Sequence, residues 1–322
     1  MRALLVLALL TVAVITPVHA QDPQSFPNRP VKIVVPFPAG GPTDVNMRIV
    51  GQKLAEIWGQ GVVIENRPGA NTGIGAQMVA TSAPDGYTLL AAMDTTLVMN
   101  PATGAAMNYD PFKDFAAITL TAKNTSLLTV RASDGPNTIG ELIARGKASA
   151  TKLNYGAGIT ITRLAGATFA KAAGIEVQLI PYKGSAEVVQ GLLTGSVDFI
   201  VDGVAPSLPL INSGQFRPLA KLNNRSLPTL PELKPLAEAS GLAIDEMSSW
   251  IGLVAPAGTP PSIVQKIHAD VVRAMADAAV AERLEKAGIL AVTTTPAEFE
   301  KYFRDEAERW AKVYKESGIK LD

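Results

Sequence analysis

The chain of 322 residues contains no cysteine. Disulfides, a lipidated N-terminus, thiolate nucleophiles and Cys-based metal sites are therefore excluded, and the fold does not rely on an oxidising compartment. Histidine is nearly as scarce, with only His19 and His268. His19 falls in the leader described below, so one histidine in a helical run would have to serve any zinc site or Ser-His-Asp triad. No G-x-S-x-G elbow accompanies it. The nucleotide signatures fail as well. Gly156-x-Gly158 has Ile161 at the third glycine position, Gly73-x-Gly75 is followed by Met78, and residues 140–147 are followed by Ala148 where a phosphate loop needs Ser or Thr. Neither charge dominates, since 29 Lys and Arg face 29 Asp and Glu. They are scattered without a basic stripe, which speaks against nucleic acid or a membrane surface as partner. No apolar run approaches the roughly 20 residues of a membrane span, and there is no internal repeat or low-complexity segment.

What is present begins with a leader. Arg2, the apolar run 3–15 and the small-residue signal Val18-His19-Ala20 before Gln21 read as a secretory signal peptide over residues 1–20. Its removal leaves 28 basic against 29 acidic residues. The remaining chain of about 300 residues exceeds one typical core and predicts two domains of about 150. With 47% hydrophobic residues in alternating strand and helix patterns, the class is α/β.

The stretch 31–48, VKIVVPFPAGGPTDVNMR, organises the rest. Val31, Ile33, Val34, Val35 and Phe37 form an apolar run between prolines that suits a strand covered on both faces. Gly40 and Gly41 permit a tight turn, Pro42 fits the first helical position, and Asp44 suits the first turn. The amides of Ala39, Gly40 and Gly41 are then expected to lack helical partners and to offer an anion cradle, although many such turns bind nothing. A helix over 44–58, a strand over 61–65, a helix over 73–83 and a strand over 87–93 complete a β-α-β-α-β unit with a largely parallel sheet. Asp94, Thr95 and Thr96 follow that third strand at the same edge.

A second unit starts with a strand over 153–157, a small-residue turn, and a helix over 164–173. Strands over 176–181 and 197–201, the latter ending at Asp202, continue it. Pro228, Pro231 and Pro235 mark a linker or strap. A strand over 249–256, a helix from Pro260-Pro261 and a final helix capped by Thr295, Pro296 and Glu298 are expected to pack on the first domain. His268 reads as a surface residue. Asp44, Asp94 and Asp202 are the acids that topology brings toward a cleft, where a lone carboxylate more often orients a ligand than catalyses.

The ordered motifs FPNRPVKIVVPFPAGGPTD, VIENRPGA, APDGYTLL, YDPFKDF, LNYGAG, PYKGSAE, VDFIVD and SSWIGLVAPAGTP closely resemble the Bug-type receptors, the periplasmic solute-binding proteins of tripartite tricarboxylate transporters. The resemblance runs from about Phe26 to the C-terminus. It implies a two-lobed, type II-like periplasmic binding protein, with residues 21–122 and 226–322 in lobe 1 and 123–225 in lobe 2. A small organic anion (a dicarboxylate, tricarboxylate, aromatic acid or amino acid) would lie in the cleft and be delivered to membrane permease subunits. The protein would act in the periplasm as a monomer, without catalysis, cofactor or metal. Carried over by position, the ligand residues are Phe37, Pro38, Ala39, Gly40, Gly41, Thr43 and Asp44 in the first turn, and Asp94, Thr95 and Thr96 after the third strand. Lobe 2 would add Ala157, Gly158, Thr160, Thr162 and Arg163, with Tyr182 and Asp202 placed by topology. The loop before Leu164 is about two residues shorter than is usual in the family, and Arg163 stands where a histidine is usual. Arg163 is either an exposed first-turn residue or a cleft residue pairing with a ligand carboxylate. Thr160 and Thr162 are either helix caps or ligand hydroxyls. A periplasmic sensor signalling to a membrane kinase is the alternative function, and an exported hydrolase using Asp44 or Asp94 is a third.

Overall fold

The computed structural model describes residues 26–317, so the expected signal peptide lies outside the described residues. The strands sort into two sheets. The chain builds β1 (Val31–Val35), β2 (Val62–Asn66), β3 (Thr88–Met93) and β4 (Phe115–Asn124), then passes at Thr125 into a second series. That series is β5 (Ser126–Arg131), β6 (Leu153–Ala157), β7 (Val177–Pro181), β8 (Phe199–Gly203) and β9 (Phe216–Lys221). It then returns to add β10 (Ser249–Pro256) and β11 (Ile289–Ala291).

The sheet orders are β11-β4-β10-β3-β1-β2 and β7-β6-β8-β5-β9. β1 pairs in parallel with β2 and β3, as the β-α-β-α-β pattern requires, and β6 pairs in parallel with β7 and β8. In each sheet a strand arriving from the other lobe then inserts antiparallel beside the third strand. β10 lies between β3 and β4, and β5 lies between β8 and β9. Both sheets are therefore mixed, built on one plan. The inserted β10 is buried along its whole length, and β1 nearly so, as continuous apolar runs covered on both faces should be.

Helices cover the sheets and close the first lobe. The Pro296–Ser317 helix buries Phe299, Phe303 and Trp310, with Phe299 edge-on to Trp250 at 5.4 Å. Gly252 makes room for it, because a Cβ there would lie 2.0 Å from Phe299 Cζ. The proline-rich strap after β9 folds back on the crossing point: Lys221 N donates to Lys234 O at 3.0 Å and Met247 N to Leu222 O at 2.9 Å.

One local expectation needs correction. His268 is half-buried, with Nε2 3.0 Å from Thr294 O, because its helix packs against the segment leading to the last helix. A helix with no counterpart among the sequence expectations spans Val204–Asn212, with Pro206 and Pro209 in it. The first proline falls in the opening turn, where a missing N–H costs nothing.

Candidate ligand-binding site

Four helices begin at one cavity between the sheets. The residues preceding their first turns are Gly41, Ile159, Gly184 and Gly203, and all four line the same space. At none of these ends does the residue before the first turn supply a side-chain cap, since glycine and isoleucine carry no acceptor. Two amides are nonetheless taken: Ile159 N donates to Thr162 Oγ1 at 3.4 Å and Val204 N to Thr125 O at 3.3 Å. Each end carries about half a positive charge, and the cavity collects four of them. The centre of a water-sized sphere can reach about 40 Å³ of it, so the lobes stand nearly shut on this space.

Side chains add polarity without satisfying one another. Asn124, Asp202 and Ser249 line the cavity and are no more than 5% exposed. Both carboxamide atoms of Asn124 and Oδ2 of Asp202 lack a hydrogen-bond partner. Buried polar groups are paired in nearly all proteins, so these three atoms on the cavity wall are available to a polar guest.

Three acids near the cleft differ sharply. Asp202, at the end of β8, accepts from Ser185 Oγ at 3.0 Å, yet burial pushes its carboxyl up to about 7 against that bond and the Gly203 amide. Asp94 occupies the matching place after β3 and is likewise pushed up to about 7 by burial, against contacts from Ser249, Thr95 and Trp250. Burial would also raise Asp44, but Arg48, the Gly40 amide and Asn66 together hold it below the usual carboxylate range.

The residues singled out from sequence divide accordingly. Phe37, Pro38, Gly41, Thr43, Thr162 and Asp202 line the cavity. The Gly40 amide does not form the expected free cradle, because it donates to Asp44 Oδ2 at 3.0 Å. Ala39 and Gly40 are exposed outside the cavity, and Asp44 is consumed by this bond and by Arg48 and Asn66. Asp94, Thr95 and Thr96 are buried behind the wall, where Asp94 Oδ1 accepts from the Thr95 amide to open a π-helical turn. Met93 and Ser249 occupy the wall itself. Ala157 is fully buried at the end of β6, while Gly158, Arg163 and Tyr182 line a wider outer mouth. Thr160 reaches across the cleft: its hydroxyl accepts from Asn71 Nδ2 at 3.2 Å. Asn71 is aimed there by an unusual run of left-handed residues, Ala70, Asn71 and Thr72, at φ 46°, 47° and 75°. Sequence reasoning missed Asn124, Ser126, Gly184, Ser185, Gly203 and Ser249. Ser126 and Ser249 each open an inserted strand, a position no local pattern reveals, whereas Gly184-Ser185 was readable as a turn.

The lobes touch through two glycines. A Cβ on Gly184 would lie 3.0 Å from Pro38 Cγ, and one on Gly203 would lie 2.8 Å from Pro42 Cγ. Gly184 (φ −178°) and Gly203 (φ −65°) have backbones open to any residue. Their lack of a side chain therefore serves the approach of lobe 1 to lobe 2.

Two α/β lobes of like topology, meeting over a shared cavity, define a two-lobed binding protein. The chain belongs to the family described as the tripartite tricarboxylate transporter family receptor, which it matches over residues 46–319. It is 31% identical over 314 residues to protein BugT of Bordetella pertussis, covering 97% of this chain and 95% of that one. Among solved structures, it is similar to a Rhodopseudomonas palustris protein with adipate, at TM-score 0.87 and 33% identity over 91% of this chain and 99% of the other. It is also similar to MatC of Rhodopseudomonas palustris with bound malate, at TM-score 0.81 and 29% identity, covering 89% and 99%. These relationships bear out the Bug-type, two-lobed reading of the sequence, and the neighbours are binding proteins.

Proposed function

We propose that the protein is a periplasmic receptor that holds a small organic carboxylate between its lobes and hands it to a membrane permease. Residues 21–122 and 226–322 form one jaw and 123–225 the other, and the protein works as a monomer without chemistry on its ligand. The observation that carries this reading is the convergence of four uncapped helix starts on one inter-lobe cavity. The adipate and malate held by similar structures support a carboxylate as guest. Thr43, Thr162 and Ser185 stand at first turns, where their hydroxyls donate to Met93 Sδ, Ile159 O and Asp202 Oδ1 and must turn to serve a ligand. Charge-assisted hydrogen bonds contribute about 1.5–3 kcal/mol each, so three or four sustain micromolar affinity, about −8 kcal/mol, after ordering costs. Donors from both lobes are engaged together only when the lobes meet, so the ligand favours the closed form and the permease reads that shape.

A thermal-shift and calorimetric screen of mono-, di- and tricarboxylates, aromatic acids and amino acids tests this. At least one carboxylate raises Tm and is recovered unchanged. Inertness to all of them, or consumption of the ligand, would overturn the reading.

A further inference from the structure

Phe37, Pro38 and Ile159 line both the inter-lobe cavity and the wider mouth on their other side, where Arg163 and Lys183 stand. Moving outward, four helix N-termini are followed by an apolar waist and a cationic mouth. Arg163 is the half-buried cation of that mouth. Its Nη2 donates to Gly158 O and Tyr182 O, both at 3.3 Å, and its Nε is buried without a partner. No ion pair to Arg163 occurs among the described residues. The two carbonyls fix the guanidinium in place but leave its charge uncompensated. It also sits in the first turn of the Thr160–Ala173 helix, where a cation opposes the dipole. Glu187 is the acid sharing the mouth, and its carboxylate accepts the Lys183 amide at 3.0 Å. A desolvated cation against a helix start is costly until an anion joins it.

We propose that Arg163 is the outer, specificity-determining anchor of the ligand. It takes the second carboxylate of an α,ω-dicarboxylate whose first carboxylate lies at the helix starts and whose methylene chain lies along Phe37, Pro38 and Ile159. The inference rests on the receptor reading above and names its ligand class. A guanidinium forms paired bonds to a carboxylate that a hydroxyl or ester cannot reproduce. The apolar waist favours methylenes over a polar linker.

Calorimetry on the mature protein tests this with succinate, glutarate and adipate, each against its monomethyl ester, which keeps the length and loses one charge. The wild-type protein prefers the diacid by about 10–100-fold. In Arg163→Met that preference falls to within threefold, because the diacid loses more affinity than the monoester. Arg163→Lys recovers part of the preference. If Arg163 only clips Gly158 to Tyr182, Arg163→Met weakens diacid and monoester equally, and the inference is wrong. It is equally wrong if wild type binds both alike. If no diacid or monoester binds wild type and the wider screen is also inert, the receptor reading itself has failed.

Discussion

The two lobes share a sheet plan but treat their strand ends differently. In lobe 2, all three helices that follow the parallel strands β6, β7 and β8 begin without a side-chain cap at the cavity. In lobe 1 only the Pro42–Trp58 helix does so. The Gly73–Ala80 helix starts beside the outer mouth, and the turn after β3 is capped by Asp94. Both lobes spend amides just before these helices on a side chain of the first turn: Gly40 on Asp44 in lobe 1, and Ile159 on Thr162 and Lys183 on Glu187 in lobe 2. The same topology thus yields an anion seat in lobe 2 and a clamp in lobe 1, whose Pro38 and Pro42 press on Gly184 and Gly203. Function here is set by what sits at each helix start rather than by the order of the strands.

The largest expected effect breaks the clamp. Gly203→Val meets Pro42 only when the lobes are closed, so overpacking of about 1–3 kcal/mol or more falls on the bound state alone. Calorimetry should show Kd rising by at least about tenfold, and by about 100-fold with Gly184→Val added, while Tm of the free protein barely moves. Pro42→Ala should recover much of the loss from Gly203→Ala, a coupling that a double-mutant cycle measures.

A second test separates the acids of the seat and the clamp by pH. The folded pKa of Asp202 lies near 7, above its ordinary 3.8. The folded state therefore binds more protons, and this group's contribution to stability falls as pH rises from about 4 to about 7. Asp202→Asn should raise Tm relative to wild type at pH 8 and not at pH 4, and should tighten carboxylate binding at pH 8 by removing a negative charge from the cavity. Asp44 has the opposite sign. Its pKa is lowered, so its stabilisation is present above the ordinary pKa of 3.8 and is lost as pH falls through the depressed value. Asp44→Ala should cost about 2–4 kcal/mol in denaturant unfolding at pH 7, because it strands the Gly40 amide, Arg48 and Asn66. Ligand affinity should stay within about threefold once folding is corrected for. The smallest effect is expected from Thr160→Val, which removes one part-buried bond from Asn71 and should change Kd by less than about fivefold.

Much of this was legible in the chain itself. The run VKIVVPFPAGGPTD predicts a buried strand, a glycine turn and a proline-initiated helix, and β1 and the Pro42–Trp58 helix follow it closely. Hidden were features that need the folded backbone. The Gly40 amide looks free until Asp44, four residues on, folds back onto it. The prolines of VAPSLPLIN disguise the helix that Gly203 precedes. Asn124, Ser126 and Ser249 enter the cavity only because β4, β5 and β10 cross between lobes, an arrangement no local periodicity encodes.

Amide NMR of the mature protein, titrated with the carboxylate that raises Tm most, bears most directly on whether the helix starts hold the anion. The largest shifts should fall on the first-turn amides after Gly41, Ile159, Gly184 and Gly203, from both lobes at the same ligand concentration. Shifts confined to one lobe, or lying away from those four turns, would contradict it.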